Sequence, residues 1–427
     1  MRNPQPVSFR ALLGIMFAWG TLGIAISAHA QTETTIYAFP TGNSAAPLLF
    51  DGNGNLFGAT NPTGFGSGTV FQLSPGAGGW NATTLYTFGG FLRDASVSTN
   101  LLMDAAGNLY GATFTGGTPS GNCSLAGGCG TIFQLSPDGK GGWTETTLYS
   151  FGLVSTDAAT PLGHMAMDVS GNLYGTTLYG GLYNVGTVFE LSPQSGGGWT
   201  EKILHNFGQT GTAGGSPRGG VVLDPQGNLY GTTTYGGPAI GTCSAGCGTV
   251  FKLSHTAGKW KAQTLHIFHG TDGAYPTAAI SFDSAGNIYS TTNAGGKNSV
   301  GVAFQLRPNS TGGWQFRLLH TFNGTWGGLD PESGVVLDAK GNLYGATREG
   351  GKFQSACQGA SGCGLVYELK PTLSGPFNFR VLHNFTGGSD GYLLDYPLTW
   401  DSSGNLFGTT ELGSISGKNG AVFEITP

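Results

Sequence analysis

Carboxylates and aromatic side chains occur together in several segments that do not repeat along the chain. Three pairs stand out, namely Asp272 with Tyr275, Trp326 with Asp330, and Asp390 with Tyr392. Carboxylates accept hydrogen bonds from hydroxyl groups and aromatic rings cover apolar faces, so the combination suits a sugar. The alternative is that each Asp only shapes a turn and that the rings cover the ends of sheets. The sequence leaves both open, and the six residues are candidate ligand-binding positions.

A lone histidine is a further candidate. His164 lies on a predicted strand, where other repeats carry Gly220, Ala279 or Gly334, and it is expected to face the axis around which the repeats are arranged. A purely structural histidine is the alternative. The sequence holds no nucleophile elbow, metal-ligand motif or phosphate-binding loop. It therefore predicts no catalytic residue, no metal and no cofactor, and it favours a protein that is not an enzyme.

Three sets of repeated residues have simpler explanations than chemistry. Four histidines share a repeat position with three tyrosines, which are not general bases at neutral pH, so packing is predicted for them. Five tryptophans precede the last strand of a repeat and are predicted to pack between sheets. A repeated Asp is predicted to form a turn, because a calcium loop needs further carboxylates. The residues are His205, His266, His320 and His383, and Trp80, Trp143, Trp199, Trp260 and Trp314.

These residues are set within phrases that repeat seven times. The first phrase, Asp-x-x-Gly-Asn-Leu-Tyr-Gly-Thr-Thr in a common form, starts at Asp51, Asp104, Asp168, Asp224, Asp283, Asp338 and Asp401. The second, Gly-Thr-Val-Phe-x-Leu, starts at Gly68, Gly130, Gly186, Gly248, Gly301, Gly364 and Gly420. A third phrase with an aromatic strand follows each of the first six copies. Such a period indicates an array of supersecondary units.

Each repeat predicts four short strands. In the fourth repeat they cover residues 220–224, 228–233, 248–253 and 261–268. Asp-x-x-Gly-Asn between the first two is a hairpin signal, with Asp opening a type I turn and Gly in the left-handed position. The middle strands are apolar on both faces, which is typical of sheets covered on both sides. The prediction is an all-β, seven-bladed β-propeller of four-stranded antiparallel blades.

The terminal segments predict how the ring closes. Residues 34–39 match the fourth strand of a repeat, and the last residues match a third strand. The N-terminal strand is therefore expected to complete the last blade and to pair antiparallel with residues around 420–425, which removes exposed sheet edges. A solenoid of stacked repeats is the alternative, and it would need capping repeats.

The repeat phrases resemble the GloVer tandem repeat of exported bacterial proteins. The resemblance rests on the two phrases that start at Asp51 and Gly68 and recur through residues 34–427. The repeat is also similar, more loosely, to propellers of the NHL and sensor-histidine-kinase periplasmic types. Members of the GloVer group carry varied C-terminal anchors or sorting signals, from which this chain departs. The resemblance implies a fold and an exported location, and no activity.

The first thirty residues predict a signal peptide. Arg2 and Arg10 flank a polar start, an apolar run follows, and residues 28–30 have the small-x-small form of a cleavage site. An uncleaved anchor is the alternative. Residues 31–427 are then expected to form a single propeller domain, secreted or periplasmic, with no membrane insertion. Removing both arginines leaves 16 basic against 23 acidic residues, a net charge of −7, which argues against binding to nucleic acid.

The six cysteines form three close pairs, Cys123/Cys129, Cys243/Cys247 and Cys357/Cys363. Local pairs in an exported chain predict disulfides, here within the loops of blades 2, 4 and 6. Zinc binding is the alternative, but these loops contain neither CxxC spacing nor histidine. Each bridge would close a small loop and stiffen it more than it stabilises the fold.

Propeller geometry places short repetitive turns on one face and long variable connections, with all six cysteines, on the other. Variable loops on a rigid scaffold often carry function, so a site is expected at the channel mouth on the variable face. The sequence predicts an exported binding or scaffold module, for glycans or proteins, that acts as a monomer on an unidentified extracellular ligand. A glycan-active hydrolase or lyase, which needs two carboxylates at a defined separation, and a sensor-like or structural surface component are the alternatives.

Overall fold

The computed structural model describes residues 32–426 apart from 41–42, 45, 62–67, 90–96, 118–122, 124–126, 155, 209–213, 242, 354, 356, 358, 373–374 and 414–418. The predicted signal peptide lies outside the described residues. The described part of the chain contains thirty β-strands and no α-helix, which confirms the all-β prediction. No helix in that part could span a membrane.

The strands form seven separate antiparallel sheets, here called blades 1 to 7 in chain order. The first described strand, β1 (Thr32–Ala38), belongs to blade 7. Blade 1 contains β2 (Asn43–Ser44), β3 (Leu49–Phe50), β4 (Leu56–Asn61), β5 (Thr69–Gly76) and β6 (Gly79–Thr87). Blade 2 contains β7 (Leu102–Met103), β8 (Leu109–Thr113), β9 (Thr131–Pro137) and β10 (Trp143–Ser150). Blade 3 contains β11 (Ala158–Pro161), β12 (Ala166–Met167), β13 (Leu173–Gly180), β14 (Thr187–Pro193) and β15 (Trp199–Asn206).

The remaining blades have four strands each. Blade 4 contains β16 (Val221–Leu223), β17 (Leu229–Thr233), β18 (Thr249–Thr256) and β19 (Lys259–Ile267). Blade 5 contains β20 (Ser281–Phe282), β21 (Ile288–Thr292), β22 (Val302–Pro308) and β23 (Trp314–Thr321). Blade 6 contains β24 (Val335–Leu337), β25 (Leu343–Thr347), β26 (Leu365–Lys370) and β27 (Asn378–Asn384). Blade 7 contains β28 (Thr399–Trp400), β29 (Leu406–Thr410) and β30 (Ala421–Thr426), completed by β1.

The repeated Asp forms the hairpin turn between the first two strands of every blade. In blade 4, Asp224 Oδ1 accepts the backbone N–H groups of Gln226 and Asn228 at 3.0 and 2.8 Å, and its Oδ2 accepts the side-chain amide of Asn228 at 2.8 Å. The equivalent bonds are present in the other six blades. The predicted turn role of this Asp is confirmed.

Aromatic pairs join each blade to the next. A phenylalanine after every fourth strand packs edge-on against a third-strand ring of the following blade, with centroids 5.0 to 5.3 Å apart. Each pair contributes about 0.5–1.5 kcal/mol beyond the area it buries. In six blades the third-strand ring lies against a glycine of the neighbouring second strand, and a Cβ on Gly231, for example, would lie 2.7 Å from Cζ of Phe251. This explains the Gly in Leu-Tyr-Gly. Blade 5 has Ser290 at this position, opposite Phe304.

The repeated histidines and tryptophans pack between blades, as predicted. The ring of His266 stacks on Phe316, and that of His320 stacks on Phe379, both with centroids 4.3 Å apart. Trp260 packs edge-on against Tyr174 of the preceding blade at 6.2 Å. These positions therefore serve the core.

The ring closes through the N-terminal strand. β1 pairs antiparallel with β30 from Thr32 opposite Thr426 to Ala38 opposite Ala421. The backbone N–H of Phe39 donates to the carbonyl of Gly420 at 3.0 Å, and the ring of Phe39 packs on Phe71 of blade 1. The prediction of closure is confirmed, and the solenoid alternative is excluded.

The three predicted disulfides are present. They join Cys123 to Cys129, Cys243 to Cys247, and Cys357 to Cys363. Each lies in the connection between the second and third strands of blade 2, 4 or 6, as expected.

The first strand of each blade is interrupted, which the sequence does not predict. In blade 3, β11 and β12 both pair with β13, and residues 163–165 between them leave the ladder. In blade 1, β2 and β3 both pair with β4. Elsewhere the outer piece is one bridge, such as that between Ala274 and Ala294 in blade 5. The residues between the two pieces are thereby free to turn toward the axis of the ring.

Candidate functional site at the channel mouth

A left-handed corner marks the interruption in the first strands of blades 3 to 6. Thr160, Ser216, Tyr275 and Asp330 each precede a proline and have φ between 53° and 60°, a conformation that residues other than glycine rarely adopt. At this corner the backbone N–H donates to a carbonyl of the previous blade. Tyr275, for example, donates to the carbonyl of Cys247 at 2.8 Å. This hydrogen bond therefore fixes the point at which the chain leaves the connecting loop and turns toward the axis of the ring.

The residues that follow these corners line a cavity of about 320 Å³, here called the channel-mouth cavity. All seven blades contribute to it, from Pro47 of blade 1 to Asp395, Tyr396 and Pro397 of blade 7, so it lies on the axis of the ring. Its lining comes from the ends of the strands that carry the variable connections. Its volume is at the lower end of the range for small-molecule sites, about 300–1,000 Å³.

Backbone contacts between inner strands confine this cavity. The backbone N–H of His164 donates to Gly219 at 3.3 Å, and Val221 donates to the carbonyl of His164 at 2.9 Å. A Cβ on Gly220 would lie 2.0 Å from the nitrogen of His164. Only glycine fits at this position, so blades 3 and 4 meet there without an intervening side chain.

One repeat position supplies much of the chemistry of the cavity. The residue directly after the corner proline is Leu162 in blade 3, Arg218 in blade 4, Thr277 in blade 5 and Glu332 in blade 6, and all four line the cavity. The strands around them repeat almost unchanged. Four different chemical types at one position of a regular repeat show that the fold does not require a particular residue there.

An arginine and several carboxylates form a cluster on one side of the cavity. The Nε of Arg348 lies 2.8 Å from Asp395 Oδ1, while its Nη2 lies 3.3 Å from Glu411 Oε2 and its Nη1 lies 3.4 Å from Glu349 Oε1. Asp395 itself lines the cavity. Three acidic groups share one guanidinium.

Asn293 connects this cluster to the post-proline position. Its side-chain amide donates to Asp330, and it also donates to Glu332 Oε1 at 2.7 Å. One carboxylate oxygen of Glu332 is therefore hydrogen-bonded to Asn293, and Glu332 also lines the cavity. The backbone N–H of Glu332 also donates to the carbonyl of Asp330, at the corner, at 2.9 Å.

The cluster contains more carboxyl groups than the single positive charge of Arg348 can neutralise. Burial and, to a lesser extent, the neighbouring Glu332 together raise the pKa of Asp330 to about 7, although Arg348 opposes the rise. Burial also raises the pKa of Asp395 well above its usual range, Arg348 opposes this, and Glu411 adds to the rise. Carboxyl groups that retain protons near neutral pH are found at sites that exchange protons or donate hydrogen bonds.

Two lining residues have polar atoms without a hydrogen-bond partner in the described part of the chain. They are His164, through Nε2, and Thr277, through Oγ1, and both atoms are shielded from solvent. Burial lowers the pKa of His164 to about 4, so its imidazole is neutral at physiological pH. An unpaired buried polar group costs about 1–3 kcal/mol, so a bound group that supplies partners is favoured here.

Of the seven residues singled out in the sequence, all of which the structure describes, His164 lines this cavity and the other six do not. Asp272 and Asp390 fasten their own loops. Asp272 Oδ2 lies 3.0 Å from His266 Nε2, and Asp390 Oδ2 lies 3.3 Å from His383 Nε2. Burial acts to raise the pKa of both carboxyls, but their hydrogen bonds outweigh it and lower the pKa.

The other four candidates occupy different settings. Tyr275 and Asp330 are the corner residues described above. Tyr392 is buried in the core with 7% of its surface exposed, whereas Trp326 is 64% exposed. The six paired residues therefore do not form a single pocket, and their part in ligand binding stays a prediction.

Several cavity residues were not singled out in the sequence. Arg218, Thr277 and Glu332 belong to the post-proline position, and a comparison of that position among the repeats would have found them. Arg348 and Glu411 belong to the charged cluster beside the cavity rather than to its lining. They follow second strands and carry no such signal. In the described part of the chain, no group of three or more His, Cys, Asp or Glu residues is placed to hold a metal ion.

Residues 14–243 and residues 238–427 each match the Gloeobacter/Verrucomicrobia repeat. The chain belongs to this repeat family. The two matches together cover residues 14–427, so the family repeat accounts for every blade. The search of curated proteins finds no match.

Solved structures share the propeller fold of this repeat-family member. Virginiamycin B lyase from Staphylococcus aureus is 12% identical, with a TM-score of 0.55 over 93% of this chain and 99% of the lyase. An extracellular domain from B. thetaiotaomicron, described as part of a hybrid two component system, is 13% identical, with a TM-score of 0.53 over 92% of this chain and 39% of that chain. At these identities the likeness shows the fold alone.

Proposed function

We propose that this member of the Gloeobacter/Verrucomicrobia repeat family is an exported carbohydrate-binding protein whose ligand occupies the channel-mouth cavity. The observation that carries the proposal is the lining of that cavity. Arg218 supplies donors, Glu332 and Asp395 supply acceptors, and Thr277 and His164 have polar atoms without partners. A sugar ring presents hydroxyl groups that donate and accept, so it offers partners both to the donors and to the acceptors of this lining. Phe114 and Tyr396 add aromatic surface for the apolar face of the ring.

Export is part of the proposal. Three disulfides support an oxidising compartment, and the extracellular domain from B. thetaiotaomicron has the same fold. Residues 1–30 have the composition of a signal peptide. Together these features support a secreted or periplasmic location.

The test is a glycan array with residues 31–427, followed by calorimetry on the best glycan. Glu332→Gln and Arg218→Ala are each expected to weaken binding by roughly tenfold, since each removes a charged hydrogen-bonding group. Lys340→Ala is the matched control, because Lys340 is exposed in a hairpin turn on the opposite face. Failure of every glycan to bind, or unchanged affinity in both cavity variants, would refute the proposal.

A second candidate is a glycan hydrolase, and the raised pKa of Asp395 favours it. Glu332 and Asp395 both line the cavity. A protonated Asp395 would donate its proton to the glycosidic oxygen as the C–O bond breaks, and ionised Glu332 would accept a proton from the attacking water. Reducing-sugar release that Asp395→Asn abolishes would establish this activity. If the protein binds a glycan but does not cleave it, the hydrolase candidate fails and the proposed binding function stands.

A further inference from the structure

A second cavity lies beside the channel mouth, between blades 2 and 3. Its volume is about 290 Å³, and it is lined largely by apolar groups: the Cys123–Cys129 disulfide, Phe114, Val154, Ala159 and Tyr179. We call it the blade 2–3 cavity. Its lining contrasts with the charged and hydrogen-bonding groups of the channel-mouth cavity.

The two cavities share a wall. Phe114, which follows β8, lines both of them. A ligand of moderate size that fills the channel-mouth cavity would therefore reach the blade 2–3 cavity across this one side chain. The shared wall makes the two cavities neighbouring parts of one surface.

The blade 2–3 cavity is held in shape by fixed groups. The carboxylate of Asp157 accepts the backbone N–H groups of Leu153 and Ala158 at 2.9 and 2.8 Å, and the hydroxyl of Tyr149 at 3.2 Å. The disulfide joins Cys123 to Cys129, and both cysteines line the cavity. A preformed cavity loses less conformational entropy on binding than a mobile one does.

Apolar side chains at the rim of this cavity are exposed. Val154 is 63% exposed and Tyr179 is 48% exposed, and both line the cavity. Exposed apolar groups gathered around a cavity mark a binding surface, because water contact with them is unfavourable.

We propose that the blade 2–3 cavity binds an aromatic or other apolar substituent of the same ligand whose sugar occupies the channel-mouth cavity. This inference rests on the proposed function for the sugar part. The ligand class is therefore a glycoside with an apolar substituent rather than an unsubstituted glycan. Tyr179 and Phe114 provide ring surface, and the disulfide provides a polarizable face.

The test compares two glycosides of one sugar, chosen from the array, by calorimetry. The p-nitrophenyl glycoside is expected to bind roughly tenfold more tightly than the methyl glycoside, since it buries an aromatic ring. Tyr179→Ser and Val154→Asp are each expected to remove this gain and to leave the affinity for the methyl glycoside unchanged. Tyr183→Ser is the matched control, because Tyr183 is 55% exposed near Tyr179 and does not line the cavity.

The outcomes separate this inference from the proposed function. Equal affinity for the two glycosides would overturn the inference and leave the sugar site standing. An equal loss in Tyr183→Ser would also overturn it, because the gain would then come from general surface adhesion. If neither glycoside binds but free methylumbelliferone does, and Tyr179→Ser abolishes that binding, the apolar site stands and the proposed function fails. Thermal unfolding confirms that each variant is folded, and Val154→Asp replaces Tyr179→Ser if the latter is not.

Discussion

Three Asp side chains fasten the loops that follow blades 2, 4 and 6. Asp157 accepts the hydroxyl of Tyr149, and Asp272 and Asp390 bond to His266 and His383. Each also accepts a backbone N–H of its own loop. The sequence assigned packing to the ring at this repeat position, and the structure adds that the same ring holds a loop carboxylate.

The hydrogen bonds of Asp272 predict that it acts on stability rather than on ligand affinity. Asp272→Ala is expected to lower the free energy of unfolding by about 1–3 kcal/mol, because His266 and the N–H of His269 lose their acceptor. Urea unfolding measures this change. Glycan affinity should remain that of the parent, in contrast to Glu332→Gln. Weaker binding at unchanged stability would instead assign Asp272 to the ligand site.

Glu201 predicts a pH dependence of stability. Its Oε1 is buried without a partner in the described part of the chain, and burial raises its pKa from 4.5 to about 7, with Asp157 adding to the rise. The folded state then binds the proton more tightly than the unfolded state, so this contribution to stability is full below about pH 4 and is lost as the pH rises to about 7.

Glu201→Gln removes the charge and keeps the shape of the side chain. After allowance for partial exposure, the variant is expected to be more stable than the parent by roughly 1–2 kcal/mol at pH 8. The difference should shrink to near zero at about pH 4, where the parent carboxyl is protonated in both states. Urea unfolding across this range checks it, and a difference independent of pH would contradict the raised pKa.

At the scale of the strand hairpin, Asp224 also accepts the hydroxyl of Tyr230 at 3.0 Å. Blades 1 and 7 carry Phe57 and Phe407 at the equivalent position, both buried, so the tyrosine hydroxyl strengthens a turn that forms without it. Tyr230→Phe is expected to lower the free energy of unfolding by about 1 kcal/mol. In an Asp224→Ala background the same change should have a smaller effect, because the acceptor is gone. Equal effects in a double-mutant cycle would show that the two groups are not coupled.

The strand pattern could be predicted because Asp-x-x-Gly-Asn and Gly-Thr-Val-Phe fix a turn and a buried strand by local chemistry. The interruption of the first strand could not. A residue before proline is expected to be extended, yet Thr160 and Asp330 are left-handed, because their N–H groups reach a carbonyl of the previous blade. The site residues depend on that corner. Local sequence therefore indicated the face of the site but not most of its members.

Across the whole molecule, alternate blades carry the stiffened loops. The disulfides lie in blades 2, 4 and 6, and the Asp-fastened loops follow the same blades. Each of these blades thus contributes two restrained connections to the variable face. The blade 2–3 cavity is lined by a disulfide of blade 2, by Asp157 of the fastened loop and by the exposed Tyr179 of blade 3.

Closure of the ring predicts that stability depends on β1 as a whole. Removing residues 31–39 leaves the edge of β30 unpaired and takes Phe39 from its contact with Phe71. The truncated chain is expected to melt roughly 5–10 °C below the parent and to associate through the open edge.

A circular permutant tests whether the loss of this strand pairing is the cause. It joins residue 427 to residue 31 through a short Gly-Ser linker and opens the chain at residues 209–213, between blades 3 and 4. This keeps every strand pair, so it should melt within a few degrees of the parent. Calorimetry and light scattering measure both effects. If the truncated chain melted at the same temperature as the parent, β1 would not be required for closure. Blades 1 and 7 would then close the ring by packing alone.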